Sequence, residues 1–170
     1  MSESKVLVLM GSDSDLPTMI TAAKTLREFD VGYDMRVLSV HRAPDLALAE
    51  AAGAREKGFR VIIAGAGGAA HLAGAAAAVT TLPVIGVPIE SGALKGTDSL
   101  FATVQMPPGV PVATVAIGGA QNAALLAVQI LAVSDDRLAS ALVAYKETLV
   151  EKVREKDRRV QALLKEEGLA

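Results

Sequence analysis

The stretch Val61–Ile89 contains no Asp, Glu, Lys or Arg, and no other feature narrows the possible folds as much. An uncharged run of this length exceeds the roughly 20 residues that a membrane-spanning helix needs. The residues inside it do not suit such a helix. Gly65, Gly67, Gly68, Gly74, Pro83, Gly86 and Pro88 interrupt the run, His71 lies within it, and no aromatic belt flanks it. It reads instead as a strand, a glycine turn, an Ala-rich helix and a second strand. Apolar strands without polar alternation are covered on both faces, which is the habit of parallel sheets.

The rest of the chain repeats that alternation. Lys5–Met10 is a short β-branched run stopped by Gly11, and Tyr33–Ser39, Arg60–Gly65, Pro83–Val87 and Pro111–Ile117 complete five predicted strands. Between them, Pro17 opens a helix carrying Ile20, Ala23, Lys24 and Leu26 at helical spacing. Further helices are predicted from Pro44 to about Lys57, over Ala69–Val79, over Thr97–Gln105 and over Asn122–Val133. Strands alternating with helices indicate an α/β fold, a three-layer α/β/α sandwich with a parallel flavodoxin-like sheet of order 2-1-3-4-5. A C-terminal stretch, Asp135–Glu167, adds an extra helix with an apolar stripe at Leu138, Leu142, Tyr145, Leu149, Val153, Val160 and Leu163. That stripe suits either packing on its own subunit or reaching over a neighbouring one. With 170 residues, the whole chain reads as a single domain, with a core over about 5–133 and an extension over about 135–167.

Composition excludes several classes of function. Cys is absent, which removes disulfides, thiolate zinc sites, iron–sulfur clusters and cysteine nucleophiles. A formal net charge of −2 gives no electrostatic footprint for nucleic acid or an anionic membrane, and 3% aromatics without Trp make no base-stacking platform. The 51% of apolar residues, with 15 glycines besides, is more than a small monomer hides easily, so a homo-oligomer is expected. The opening MSESKVLVLMGS reads as no secretory signal, because the apolar run Val6–Met10 is too short. A cytoplasmic protein is expected.

In an open parallel sheet, ligands bind beyond the carboxyl ends of the strands, where the strand order reverses. Order 2-1-3-4-5 puts that crevice between the first and third strands, near the second. The loops there are Gly11–Asp15, Ser39–Asp45 and Gly65–His71, and both histidines of the chain fall in them. Gly11-Ser12 enters a helix N-terminus, which suits a phosphate. Ser12 and Ser14 add hydroxyls, and Asp15 either accepts from ribose hydroxyls or, like Ser14, simply caps the helix. Ser39 opens the loop that carries Arg42, a fixed fork of donors for a phosphate or an ordinary surface arginine. His41 beside it is a candidate general acid/base or a structural histidine. His71 follows Gly67, Gly68, Ala69 and Ala70, small residues that let backbone approach a ligand; the alternative is a buried, hydrogen-bonded histidine that fixes the loop. Two histidines without clustered carboxylates make a weak metal site. Gly65–Ala70 fits the dinucleotide fingerprint only loosely, with no acidic residue after the next strand.

GSDSD (Gly11–Asp15), SVHRAPD (Ser39–Asp45), AGAGGAAHLAG (Ala64–Gly74), the run Val84–Gly118 and NAALLAVQIL (Asn122–Leu131) together resemble the PurE-type enzymes of purine biosynthesis. These are the N5-carboxyaminoimidazole ribonucleotide mutases, also called the phosphoribosylaminoimidazole carboxylase catalytic subunit. The resemblance implies a cofactor-free and metal-free isomerisation that moves a carboxylate from the exocyclic nitrogen to ring carbon C4. It implies His41 as acid/base and Ser12, Asp15 and Arg42, with Ser14 and Ser39, on the ribotide. Gly68, Ala69, Ala70 and His71 would line the carboxylate side. It also implies a homo-octamer and a functional link to the ATP-dependent synthetase that makes the substrate. Two departures stand out: Val40 where the family usually has Ala before the histidine, and a loop over 118–122 about two residues shorter than usual. Competing readings are a direct aminoimidazole ribonucleotide carboxylase using CO2, a carboxylase of another nucleotide such as a pyridinium carboxylate, and a non-enzymatic nucleotide-binding module.

Overall fold

In the computed structural model, residues 4–169 are described, the side chain of Ser4 excepted. The first three residues of the segment read as carrying no signal lie outside them, as does Ala170 at the end of the predicted single domain. The chain forms two compact units, one ending at Leu131 and the other beginning at Ala132.

The first unit holds a five-stranded sheet built from β1 (Ser4–Met10), β2 (Gly32–Val37), β3 (Val61–Gly67), β4 (Val84–Ile89) and β5 (Ala113–Thr114). Its order is β2-β1-β3-β4-β5 and each pairing is parallel, as the alternating pattern predicts. The register sets Met10 of β1 beside Val37 of β2 and Gly65 of β3, so β1 and β2 end level while β3 runs two residues further, to Gly67. Helices α1 (Leu16–Glu28), α2 (Pro44–Gly53), α3 (Leu72–Val79), α4 (Thr97–Val104) and α5 (Ala120–Ala132) connect or follow the strands.

The central strands are covered on both sides. Leu7, Leu9, Ile62, Ala64 and Val84 join Ala47 and Ala51 of α2 and Leu72, Ala73 and Ala76 of α3 in one apolar cluster. Val6, Val8, Val61 and Ile63, which point the other way, are equally shut off from solvent. Met19 of α1 lies on that second side, against Gly65, where an added Cβ would overlap its thioether. Gly86 faces the first side, with Thr103 of α4 and Ala73 of α3. Helices therefore cover both faces of the sheet, and each fully buried Leu, Ile or Val contributes roughly 1.5–3 kcal/mol of transfer free energy.

Some elements are shorter than predicted. β5 keeps only two paired residues, Ala113 and Thr114 opposite Ile85 and Gly86. Pro111 has no N–H to give to a ladder, and beyond Thr114 the chain follows β4 only through single bonds, Val115 N–H to Gly86 O and Gly118 N–H to Pro88 O. The third helix begins at Leu72 rather than Ala69, because Gly68 adopts a left-handed φ of 59° and breaks the helical path. α2 ends at Gly53, and a turn closed by Lys57 N–H to Gly53 O replaces its predicted last turn.

The second unit is dominated by α6 (Asp136–Glu166), whose N-terminus is capped by Asp135 accepting from Leu138 N–H at 3.2 Å. Of the predicted stripe Leu138 is buried, whereas Val153, Val160 and Leu163 are exposed. Among the described residues, no helix is long and apolar enough to cross a membrane.

Candidate active site

Three loops leave the neighbouring ends of β1, β2 and β3, and each is held by hydrogen bonds. The first is fastened to the sheet where Gly11 N–H donates to Gly65 O at 3.1 Å. Ser12 is extended and caps a short 3-10 turn, Asp13–Asp15, that leads into α1, with Pro17 in its first turn. A capping box closes it: Ser14 N–H donates to Ser12 Oγ at 3.4 Å, and Ser12 N–H donates to Asp15 Oδ2 at 3.0 Å. Asp15 N–H in turn donates to Ser12 O. The predicted capping role is thus real, but it belongs to Ser12 with Asp15. These N–H groups therefore already have acceptors within the protein.

The capping box turns Asp15 inward, to 7% exposure. Burial raises its carboxyl above the usual carboxylate value, and the neighbouring Asp13 pushes the same way. The N–H donors of Ser12 and Gly11 and the Arg42 guanidinium pull it back.

The second loop starts where Leu38 N–H donates to Met10 O at 2.7 Å, and it closes as one turn through Ala43 N–H to Ser39 O at 2.9 Å. Val40 packs on the apolar cluster between the sheet and α2–α3, anchoring the loop while its neighbours His41 and Arg42 face outward. Ser39 Oγ accepts from both the backbone N–H and Nε of Arg42, each at 3.3 Å. Arg42 Nη2 donates to Gly11 O at 3.0 Å. The guanidinium thus clamps the first loop to the second and is held in place by these bonds.

The third loop is the glycine-rich one. After Gly68 the chain folds tightly, with Ala70 N–H donating to Gly68 O and His71 N–H to Ala69 O, both at 2.8 Å. This brings His71 across to the second loop, where its Nδ1 lies 2.9 Å from His41 Nε2. The two rings meet edge to face, with centroids 5.0 Å apart and an interplanar angle of 81°.

Between the loops lies a cavity of about 430 Å³, within the usual range for a small-molecule site. Eight of the ten predicted site residues wall it. Ser12, Ser14 and Asp15 come from the first loop, Ser39, His41 and Arg42 from the second, and Gly68 and Ala69 from the third. Ala70 and His71 do not. Ala70 is buried at 1% exposure, and His71 is an exposed residue whose bond is to His41. Sequence reasoning misses Ser91, which follows β4 and completes the wall beside Gly67 and Gly68. The strand-end rule, extended to the fourth strand, would find it. One end of the cavity thus offers a cation and hydroxyls, which suit a phosphate and a sugar. The other offers small residues, an imidazole and the Ser91 hydroxyl.

Comparison with known proteins gives the family. A family model described as AIR carboxylase matches residues 5–152. The chain is 55% identical over 159 residues to the N5-carboxyaminoimidazole ribonucleotide mutase of Mycobacterium tuberculosis, covering 94% of this chain and 91% of that protein. It is 57% identical over 145 residues to the mutase of that name from Pyrococcus abyssi, covering 85% and 83%. The crystal structure of Treponema denticola PurE superimposes with a TM-score of 0.82 at 27% identity, covering 92% of this chain and 98% of that one.

Proposed function

Because this chain belongs to the AIR carboxylase family, we propose that it is an N5-carboxyaminoimidazole ribonucleotide mutase, an isomerase of purine biosynthesis. One observation carries the reading: the identity to proteins of that name runs over nine tenths of the chain. The site's chemistry supports it. Arg42, fixed by Ser39 and Gly11, binds the phosphate with help from the Ser12 and Ser14 hydroxyls, and Asp15 accepts from the ribose. The imidazole ring of the substrate then lies towards His41, Gly68 and Ala69.

The reaction needs one bond broken, one formed and one proton moved. The carbamate N–C bond breaks and CO2 departs. The electron pair returns to the exocyclic nitrogen, which takes a proton from His41. C4 attacks the carbon of CO2, and the hydrogen on C4 leaves as a proton to His41, which is restored. Small residues at Gly67, Gly68 and Ala69 give CO2 a confined wall with few groups to solvate a carboxylate. His41 as the proton carrier fits the bond count, since one group both gives and takes.

The test is an absorbance assay in both directions, with 4-carboxy-5-aminoimidazole ribonucleotide on one side. On the other is either the N-carboxylated ribotide or aminoimidazole ribonucleotide with bicarbonate. Fast conversion of the N-carboxylated compound alone is expected. Efficient use of the free amine with CO2 would make it a direct carboxylase, the reading that the family's description favours, and silence with both would leave a nucleotide-binding module.

The assembly proposed is a homo-octamer, acting in the cytoplasm as a single domain with a helical extension and without cofactor or metal. Its substrate would come from an ATP-dependent N-carboxylating synthetase. Exposed Leu94 and Phe101, at 61% and 56%, are apolar surface of the kind that copies of a chain cover.

A further inference from the structure

His71 stands apart from the other site residues: it does not wall the cavity, yet it holds His41. We propose that His71 is the positioning residue of the proton carrier, an inference that rests on His41 having that role. The bond from His41 Nε2 to His71 Nδ1, at 2.9 Å, spans 30 residues of sequence. A hydrogen bond between two imidazoles needs an N–H on one ring and a lone pair on the other. While it stands, one ring supplies the N–H and the other the lone pair.

The backbone shows which ring serves as the reference. His71 enters α3 from the tight turn after Gly68, its own N–H bonded to Ala69 O and its carbonyl accepting from Ala75 N–H. The next residue, Leu72, is buried in the core. His41 sits on a single exposed turn. The bond therefore transmits the direction of a helix start to a ring that its own loop does not fix. It also commits Nε2 of His41, so rotation of that ring about its Cβ–Cγ bond costs the contact. The other charged side chains on the same wall are Asp15 and Arg42. Asp15 is bonded to Ser12, and Arg42 to Ser39 and Gly11.

A merely structural histidine and a substrate-binding one predict different kinetics. Under this proposal His71→Ala lowers kcat on the order of 10- to 100-fold, the range for partners that orient a functional imidazole, with KM nearly unchanged. His71→Asn, whose amide places a polar atom near the position of Nδ1, recovers most of kcat. The chain has only two histidines, so solid-state ¹⁵N spectra of histidine-labelled resting enzyme contain just these two rings. They are expected to show one bonded N–H and one bonded lone pair, with the His41 tautomer becoming mixed in His71→Ala. A raised KM at unchanged kcat would overturn the proposal in favour of substrate contact. So would His71→Asn being as poor as His71→Ala, or two unbonded rings in the wild-type spectrum. The spectra need no turnover, so they judge the pair even if the enzyme assay is silent.

Discussion

At the scale of single residues, His41 and Asp15 show how differently two polar groups can be held in one cavity. His41 is exposed on a one-turn loop and is bonded to another imidazole. His41→Asn keeps a polar group there but cannot carry a proton. We expect kcat to fall by about 10²–10⁴-fold, the usual worth of a general acid/base, while calorimetry still detects ribotide binding; retained turnover would remove His41 from the chemistry. Asp15 is shut in at 7% exposure with its carboxyl pKa raised, chiefly by burial. A raised folded-state value means the native state holds the proton more tightly than the unfolded chain does. The carboxyl's contribution to stability is therefore fully present below its ordinary value of 3.8 and lost as pH rises through the folded value. Asp15→Asn does not titrate and can still accept from Ser12 N–H. Its stability relative to the parent should improve as pH rises from below 3.8 through the higher folded value, as read by urea unfolding, while ribotide affinity falls. A pH-independent difference would contradict the raised value.

At the scale of elements, glycine sets how closely helices approach the sheet. A Cβ on Gly86 of β4 would run into the Thr103 side chain of α4 and lie 2.9 Å from Val112 Cγ1. Gly86→Val should push α4 off the strand. Overpacking of this kind costs about 1–3 kcal/mol, and at this chain length each kcal/mol lowers Tm by about 2–4 °C. An unchanged Tm would mean that α4 repacks freely. The same elements show what local sequence conveys. Continuous apolar runs mark β1, β3 and β4 correctly because burial on both faces leaves no alternation to misread. The pattern overextends the fifth strand, since its apolar residues look alike whether or not they are paired. Pairing depends on Gly86 and Ile85 of a neighbouring strand. The pattern also misses the helix start at Leu72, because the small residues Ala69 and Ala70 have high helix propensity while Gly68 sends the backbone elsewhere.

At the scale of the whole molecule, the proposed assembly rests on surface that the isolated chain leaves bare. Phe101 and Leu94 are more than half exposed, as are Val153 and Leu163 of α6. If copies cover the first patch, Phe101→Glu should shift the light-scattering mass downward from that of the parent, since burying an unpaired carboxylate is costly. A monomeric parent would overturn the proposed assembly, and an unshifted octamer would place the contact elsewhere. The sequence by itself settled the sheet. Strand periodicity and the order of strands and helices are local properties, and chain connectivity with right-handed crossovers leaves few ways to arrange them. That arrangement in turn named the three loops where the cavity lies. Tertiary structure alone decided what meets inside. The His41–His71 bond, the Arg42 clamp on Gly11 and Ser91 on the wall join residues far apart in sequence. Such contacts depend on loop lengths and on backbone turns such as that at Gly68, and hydrophobic pattern carries no record of either.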